Sequence, residues 1–406
     1  MKPLHFFKNF FRIAAGFCAF AVLVLAVMIG IVWYQMPDSF QVTEGKTLQL
    51  DREGISVRNS LSDSPSVKEA FASSGQKTEA QIMLLDFIPV KNVNVTVTRS
   101  KTLIPCGTPF GIKMFTNGVM VVGITDIQSD GKRVNPAAQA GIRVGDIITE
   151  ANGEKVDANE ELSEKIQESQ GKNITLTILR GEEELVTTLA PIKSDTDGSY
   201  KGGVWVRDST AGIGTVTFYD PETGGFGGLG HGVCDVDTSE LMPLGSGEIV
   251  PVIISGVVRG EKGSAGELRG YFSSEIPIGI LTENNESGVY GLLDYCPSEN
   301  NALPLAMKQE VKPGPAKILA TVDCTGPQYY DIMIESVSYR DDVQTKNLVI
   351  RVTDEKLLKV TGGIVQGMSG SPIVQNGMLV GAVTHVFVND PTRGYGIFAE
   401  NMVNNS

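Results

Sequence analysis

The sequence predicts a mainly β protein of two or three domains that follows one membrane-spanning helix. The chain has 406 residues, 41% of them hydrophobic and 20% charged, which suits globular structure and exceeds one ordinary domain. Its 46 glycines and its short alternating apolar runs favour strands, while long helical patterns are few. The net charge of −13 argues against a nucleic-acid-binding protein.

The N-terminus carries an apolar run that is long enough to cross a bilayer. Residues 13–34 contain no charged side chain, follow three basic residues, and end in Trp33 and Tyr34. A transmembrane helix needs about 20 apolar residues, and its basic flank stays in the cytoplasm. We therefore predict a cytoplasmic tail and a single-pass anchor over residues 1–36, with the remainder extracytoplasmic. A cleaved signal peptide is the alternative, although the run exceeds the roughly 7–15 residues of a signal core.

Cysteine and histidine usage limits the possible chemistry. The five cysteines are scattered without C-x-x-C pairs, so no zinc site or disulfide framework can be deduced, and isolated buried thiols are expected. No metal or other cofactor is predicted. Because His5 belongs to the cytoplasmic tail, His231 and His385 are the two histidines left for chemistry outside.

Residues 37–99 are predicted to form a linker with short strands. Polar residues dominate 37–80, where 47–50 and 55–57 are strand candidates, and such a segment is accessible to proteolysis. From residue 82 to residue 97 the pattern becomes β-like, and V-N-V-T-V-T alternates as a half-buried strand does.

Residues 100–195 follow a different pattern. Pro109–Ile124 is predicted to form two strands around the hairpin signal Asn117-Gly118. The run N-P-A-A-Q-A-G-I-R-V-G-D-I-I, from residue 135, predicts a short helix that ends at a glycine and then turns into a strand. An amphipathic helix at 159–169 and the alternating strand I-T-L-T-I-L-R come next.

This run of elements resembles a PDZ domain, because A-x-x-A-G-I-x-V-G-D-x-I before a helix and a strand is specific for that family. PDZ domains bind extended peptides as an added strand in a groove. The resemblance implies that the groove is lined by a strand and a helix, through Phe110, Gly111, Ile112, Leu162 and Ile166. The loop P-C-G-T-P-F-G-I departs from the common G-L-G-F form, so recognition of a terminal carboxylate is not implied. A spacer domain without a ligand is the alternative.

Residues 196–406 consist of short β-like runs separated by glycine and proline, which predict a sandwich or a barrel. The motif G-x-G-x-x-G occurs at 225–230, but neither the strand before it nor the helix after it that a dinucleotide site needs is predicted. We interpret these glycines as a tight turn that leaves His231 in an open place. A histidine that only hydrogen-bonds a loop is the alternative.

The run G-M-S-G-S-P places Ser369 between glycines. A serine hydroxyl needs a base within hydrogen-bond reach and N–H groups aimed at the developing oxyanion. Gly367 permits a turn that points such groups inward, and Gly370 is expected to leave room for substrate. With the strand, turn and strand that follow, the run resembles the nucleophile loop of chymotrypsin-like serine proteases. Ser371 is expected to be structural and is the alternative nucleophile.

His231 precedes Ser369, which is the order of a protease with its base in one barrel and its nucleophile in a second. His385 lies in a strand pattern and is expected to be a packed or substrate-pocket residue, with a role as the base as the alternative. The residues alone do not identify the carboxylate that orients the imidazole. The candidates are Asp235, Asp237, Asp354 and Asp390.

Three stretches, 204–238 with L-G-H-G, 361–377 with G-M-S-G-S-P, and 381–397, resemble the peptidase domain of the stage IV sporulation protein B family. These are membrane-associated serine peptidases of endospore-forming bacteria, with the layout anchor, PDZ, peptidase. The resemblance implies a chymotrypsin-like β-barrel peptidase domain over 196–406. The resemblance implies that Ser369 is the nucleophile, His231 the base and Asp354 the third member of the triad. It also implies that the N–H groups of Gly367 and Ser369 bind the oxyanion.

The resemblance also implies a location and substrates. Such an enzyme is exported into the space between the forespore and mother-cell membranes and cleaves itself, for which residues 37–80 are the implied region. It then cuts a regulatory membrane protein that restrains an intramembrane protease, which triggers intercompartmental sigma-factor activation during sporulation. The PDZ domain would help to control self-cleavage and target recognition. A non-catalytic PDZ adaptor with a β scaffold domain is the alternative.

Overall fold

A computed structural model describes residues 3–59 and 74–405, with side chains from Arg12 onward except at Asn59. The chain begins with one apolar helix, α1 (Pro3–Gln35). Its segment Arg12–Gln35 is long and apolar enough to cross a membrane, and it is the one helix in the described ranges that meets this criterion. Because most of its side chains are exposed, α1 differs from the core helix of a soluble protein.

A four-stranded sheet follows α1 where the sequence predicted a linker. Its strands lie in the order β1-β4-β3-β2, with β1 parallel to β4 and the other pairs antiparallel. The strand candidate 55–57 lies in β2, whereas 47–50 is not a strand. The strands are β1 (Ser39–Thr43), β2 (Ile55–Asn59), β3 (Lys77–Leu84) and β4 (Ile88–Thr98).

This N-terminal sheet packs on the C-terminal part of the chain and shares one hydrophobic core with it. The rings of Phe40 and Tyr339 meet edge to face, 6.1 Å apart, and Gln309 Nε2 donates to the carbonyl oxygen of Gln41. The alternating valines predicted in this region are buried in β4. The linker prediction missed this layer because the apolar side chains of the sheet find their partners more than 200 residues away.

The next strands are β5 (Thr102–Pro105) and β6 (Pro109–Ile124). β6 is one strand of 16 residues, so the predicted hairpin at Asn117-Gly118 is wrong. A two-residue hairpin turn of this kind needs positive φ at both positions. Here Gly118 has a φ of 93°, whereas Asn117 is not among the residues with positive φ.

An α/β module is inserted between β6 and the later strand β15 (Val204–Tyr219), which pair with each other. The outer halves of the two strands, next to the module, are residues 120–124 and 204–207, and the inner halves are residues 109–115 and 209–215. Its core contains Leu162 and Ile166. The predicted short helix is present with Asn135 as its N-cap, and the predicted amphipathic helix is present as well. The elements of the module are β7 (Ile127–Ser129), β8 (Lys132–Val134), α2 (Pro136–Gln139), β9 (Ile147–Ala151), β10 (Glu154–Lys155), α3 (Asn159–Glu168), β11 (Ile174–Arg180), β12 (Glu183–Leu189), β13 (Ile192–Lys193) and β14 (Tyr200–Lys201).

Barrel 1 is closed by six strands in the ring β6-β17-β19-β20-β16-β15, because β15 pairs again with the inner half of β6. Its core packs apolar side chains of β6 against those of β15, β16 and β17. The further strands are β16 (Gly225–Gly228), β17 (Ser246–Val258), β18 (Glu267–Phe272), β19 (Gly279–Asn285), β20 (Gly288–Leu293) and β21 (Leu303–Pro304).

Barrel 2 is a closed ring of six strands in the order β22-β23-β24-β27-β26-β25. The prediction of a mainly β fold with an N-terminal apolar helix and a C-terminal β-barrel is therefore confirmed. The elements are β22 (Gly314–Ala320), β23 (Gln328–Val337), β24 (Leu348–Val352), α4 (Glu355–Thr361), β25 (Pro372–Gln375), β26 (Met378–Phe387), β27 (Asp390–Phe398) and α5 (Ala399–Asn404).

The five cysteines carry free thiols, and two of them contact each other. The thiol of Cys106 is buried in barrel 1, where desolvation raises its pKa well above the usual value. Its hydrogen bond to Cys296 lowers the pKa of Cys296 to about 6. The expectation of isolated buried thiols is therefore wrong for this pair, and the remaining three cysteines are exposed.

Candidate active site

A cavity of about 1120 Å³ lies where the two barrels meet. It brings together both histidines and the serine that the sequence singled out, although they are far apart in the chain. Barrel 1 and its loops contribute one wall and barrel 2 contributes the other. The lining residues used below are His231, Gly232, the segment Asp341–Lys346, Gly367, Ser369, Thr384 and His385.

His231 follows β16 in a turn made by Leu229 and Gly230, both with positive φ. Its Nδ1 lies 2.9 Å from the carbonyl oxygen of Gly232. Because a carbonyl oxygen can only accept, this hydrogen bond requires the proton on Nδ1 and leaves Nε2 as the basic nitrogen. Desolvation lowers the pKa of His231 from its usual value, and the bond to Gly232 offsets part of that change.

Ser369 lies in a tight loop between Gly367, with a φ of 93°, and Gly370, with a φ of 94°. Its Oγ donates a hydrogen bond of 2.7 Å to the carbonyl oxygen of Thr384. Within the described ranges, the main-chain N–H groups of Gly367 and Ser369 donate no hydrogen bond. Both residues line the cavity.

The strand β15 of barrel 1 holds this loop in place. Thr215 N donates to the carbonyl oxygen of Ser369 at 3.1 Å, and Thr215 Oγ1 donates to that of Gly367 at 2.9 Å. A Cβ on Gly370 would lie 2.1 Å from the oxygen of Thr215 and 2.6 Å from the nitrogen of Leu229. Gly370 therefore permits contact between the barrels, and the expectation that it makes room for substrate is wrong.

The turn that contains His231 and the loop that contains Ser369 thus line the same cavity. No hydrogen bond joins these two side chains in the described structure, since the serine hydroxyl is turned toward Thr384. Such bonds are often formed only when substrate is bound.

His385 lies beside His231, with ring centres 4.8 Å apart and planes inclined by 34°. Desolvation at the cavity mouth, together with His231 and Lys346, lowers the pKa of His385 to about 4. His385 is thus a neutral pocket residue near pH 7, one of the two outcomes expected for it.

Asp354, the implied third member of a triad, does not line this cavity. It is the N-cap of α4, where one carboxylate oxygen accepts from the N–H groups of Lys356 and Leu357 and the other accepts from Asp331 N at 3.3 Å. The structure therefore separates Asp354 from His231, contrary to the sequence expectation. Asp354 is only 15 residues before Ser369 because it starts α4, the short helix between β24 and the serine loop.

The other candidate carboxylates have different partners. Arg207 forms ion pairs with Asp235, which is fully buried, and with Asp237 at 2.7 Å. Asp390 accepts from the hydroxyl of Thr392. Among the described side chains, no carboxylate is hydrogen-bonded to His231, and no group of three potential ligands is suited to a metal ion.

Sequence reasoning missed three parts of the site. Two are the main-chain carbonyl groups of Gly232 and Thr384, which carry no side-chain signal because every residue has one. The third is the wall Asp341–Lys346, a 3-10 segment of five ordinary polar residues and one valine. The ion pairs of Arg207 hold the loop that follows His231, and no local motif marks them because their partners lie 28 and 30 residues apart.

The predicted peptide groove is only partly correct. Phe110, Gly111 and Ile112 lie in the inner half of β6, where β15 pairs with one edge and β17 with the other. These residues therefore belong to barrel 1, and no free strand edge is left there for a peptide.

The groove of the module lies instead beside the outer half of β15. Leu162 and Ile166 of α3 line a cavity of about 460 Å³, and residues 199–206 line it as well. Residues 204–207 pair with β6 at one edge, and no described strand pairs with the other. A strand edge next to a helix, preceded by Gly202 and Gly203, is the arrangement that strand addition requires.

Two closed barrels that meet at a cavity holding a serine and a histidine define the double-barrel class of serine peptidases. A family model described as SpoIVB peptidase S55 matches residues 198–403, which is just over half of the chain. The chain belongs to this family, and the family indicates a serine peptidase. A PDZ domain model matches residues 133–180, inside the inserted module, so this module is a PDZ domain.

Two individual proteins resemble parts of the chain. Over 100 residues the chain is 33% identical to a protein of Neisseria meningitidis serogroup A / serotype 4A named a "putative zinc metalloprotease". This match covers 24% of the chain and 22% of that protein. A solved PDZ domain of the SdrC-like protein from Listeria monocytogenes is 22% identical, with a TM-score of 0.19, over 22% of this chain and 87% of that one.

Proposed function

We propose that the chain is a membrane-anchored serine endopeptidase in which Ser369 is the nucleophile and His231 the general base. The observation that carries the proposal is the shared cavity, which holds the hydroxyl, an imidazole with a free Nε2, and two unpaired amides. The family match supports the same reaction class. The anchor α1 and the PDZ groove support protein substrates at a membrane.

The reaction begins when the Ser369 hydroxyl turns from Thr384 toward His231. Nε2 takes the proton as Oγ attacks the scissile carbonyl, and the N–H groups of Gly367 and Ser369 bind the oxyanion. His231 then gives the proton to the leaving amine. These steps require the His231 tautomer with its proton on Nδ1, and the carbonyl of Gly232 holds that tautomer. In the usual triad a carboxylate has this task.

The proposed substrates are the enzyme itself and a regulatory membrane protein of an intramembrane protease complex. In this proposal the C-terminal domains lie between the forespore and mother-cell membranes, and cleavage triggers sigma-factor activation during sporulation. The family resemblance supports this role. The free edge of β15 would take an extended segment of the partner as an added strand.

The proposed region of self-cleavage is 37–80. Residues 60–73 of this region lie outside the described residues. Because β1, β2 and β3 are hydrogen-bonded into a sheet, cleavage is expected outside these strands, where the chain can enter the cavity in an extended form.

The first prediction concerns Ser369→Ala. We expect this change to lower peptidase activity by several orders of magnitude and to abolish self-processing, because it removes the attacking oxygen. The measurements are mass spectrometry of the self-cleavage products and labelling with a serine-reactive phosphonate. Circular dichroism should show an unchanged fold.

Ser371→Ala is the matched control. The Ser371 side chain is fully buried, and its hydroxyl is one of the buried polar groups without a hydrogen bond in the described structure. Removing an unpaired hydroxyl costs little, so this variant should retain activity and phosphonate labelling. Normal self-processing by the Ser369→Ala protein in isolation would show that the assignment is wrong.

A further inference from the structure

One face of α1 stays in contact with the protein well back into its apolar run. Leu25, Ile29 and Val32 are spaced as i, i+4 and i+7, which places them on a single face, and Met36 continues this line directly after the helix, with its N–H bonded to Val32. Val32 and Met36 are buried in the core that includes the N-terminal sheet, and Leu25 and Ile29 pack on it while half-buried. At about 1.5 Å per residue, this contact follows α1 for about 16 Å.

The β3–β4 hairpin points back along this face. β1 starts directly after α1 and runs parallel to β4, with Ser39 opposite Asn94. Lys91, three residues nearer the hairpin turn, donates to the carbonyl oxygen of Met36 at 2.7 Å, and its Nζ lies 5.2 Å from the centre of the Trp33 ring. The turn 85–87 is at least four residues farther back, which is more than about 10 Å along a strand. It is therefore level with the apolar part of α1.

This turn is apolar and exposed. Leu85 and Phe87 are 47% and 69% exposed, and the run I-M-L-L-D-F-I-P-V contains one charged residue, Asp86. Leu85 and Asp86 adopt φ values of 55° and 66°. Positive φ in hairpin turns is usually met by Gly, Asn or Asp, so an exposed leucine here is unfavourable in water.

We propose that the turn 85–87 inserts among the lipids beside α1 and gives the chain a second membrane contact. This inference rests on the proposed anchoring by α1. A lipid surface is the partner because the exposed side chains stand at the level where α1 is itself uncharged and apolar. Asp86 limits the depth to the headgroup and acyl boundary, since a carboxylate is costly in hydrocarbon.

The second contact fixes the orientation of the active site. Domains attached to the membrane by a single helix can tilt and rotate about that helix. A second contact through the turn 85–87 fixes how the domains face the membrane surface. The guanidinium of Arg340 lies 4.3 Å from the centre of the Tyr34 ring, and the next residues, Asp341–Lys346, line the candidate active site. The cavity wall is thereby held next to the membrane surface, where the extracytoplasmic flank of a membrane protein can enter it.

Tryptophan fluorescence of the full chain in nanodiscs tests the insertion. The chain has two tryptophans, Trp33 and Trp205, which are both changed to Phe to give a silent background. Phe87→Trp then reports on the turn, and Val186→Trp, on the PDZ domain and 68% exposed, is the matched control. The discs hold one chain each in phosphatidylcholine and phosphatidylglycerol, with or without bromine on the acyl chains near the headgroups. A third variant that keeps only Trp33 reports on α1.

We expect brominated lipid to lower the emission of the Phe87→Trp protein to less than half. The emission of the Val186→Trp protein should be unaffected by bromine and should remain open to quenching by acrylamide. If the variant that keeps Trp33 is quenched but the Phe87→Trp protein is not, the insertion is overturned and the anchor stands.

Two further outcomes are also decisive. Blue-shifted emission from the Phe87→Trp protein without quenching by bromine overturns the insertion, because it indicates contact with protein. If Trp33 itself is not quenched, anchoring by α1 fails and the insertion fails with it.

Discussion

The imidazole of His231 is held by a main-chain carbonyl, and this single contact sets its chemistry. Because Gly232 accepts from Nδ1, the neutral ring presents Nε2 as a base without a carboxylate partner. Burial disfavours the imidazolium and lowers the pKa from the usual 6.5. The ring therefore keeps its basic nitrogen at a lower pH than an exposed histidine does.

A pH profile is the second prediction. Since a lowered pKa keeps His231 neutral below pH 6.5, we expect the acid limb of kcat/KM for a peptide substrate to have its midpoint below pH 6.5. His385, with a pKa of about 4, stays neutral over that range and does not contribute to a limb near pH 6. A midpoint above pH 6.5 would contradict the burial argument and would point to an anionic partner for His231.

The residue scale also shows what the sequence could reveal about the site. Ser369 and His231 could be singled out from the sequence because only a few residue types can attack or take a proton. Gly230 directly before His231, and Gly367 and Gly370 around Ser369, all adopt positive φ. The carbonyl of Gly232 was not predictable, because which main-chain group meets a side chain depends on the folded path. Asp354 was implied by resemblance, and the structure gives its carboxylate a different task.

At the element scale, that task is to start α4. The carboxylate of Asp354 satisfies two N–H groups in the first turn of this seven-residue helix, which would otherwise lack partners. A helix this short depends on its cap and on the burial of Leu357 and Thr361.

The third prediction separates capping from catalysis at Asp354. Because Ser and Asn cap almost as well as Asp, Asp354→Ser and Asp354→Asn should keep both stability and kcat, whereas Asp354→Ala should lose about 1 kcal/mol of unfolding free energy. The measurements are urea unfolding and peptide hydrolysis for all three variants. A loss of several orders of magnitude in kcat for Asp354→Asn, with unchanged stability, would restore the triad role.

Elements were predictable where the signal is local and were missed where it is not. The glycine that ends the short helix and the spacing of Leu162 and Ile166 in the amphipathic helix are local signals, and both helices are present. β6 was divided at Asn117-Gly118 because that pair favours a turn in isolation. In the folded chain, β15 pairs along both halves of the strand, and this tertiary pairing overrides the local preference.

At the scale of the whole molecule, β15 connects the two functional regions. Its outer half borders the peptide groove of the PDZ domain, Arg207 holds the loop after His231, and Thr215 and Thr217 bind the loop of Ser369. The PDZ domain is therefore an insertion within barrel 1. Linear reasoning placed the two domains side by side because a strand that serves both cannot be recognised from its sequence.

The last prediction tests whether Arg207 supports catalysis through the loop after His231, and the chain provides a matched control. Arg207 pairs with the buried Asp235, and Arg180 pairs with the buried Asp146 inside the PDZ domain; both arginine side chains are 29% exposed. Arg207→Ala and Arg180→Ala each leave a buried carboxylate without its cation, so each should lose up to about 3 kcal/mol of unfolding free energy.

Arg207→Ala should in addition lower kcat by at least tenfold, because the loop after His231 is released, whereas Arg180→Ala should keep kcat. Peptide hydrolysis and urea unfolding of both variants, measured well below the unfolding midpoint, decide the outcome. Equal kcat values in the two variants would show that Arg207 has a structural role alone.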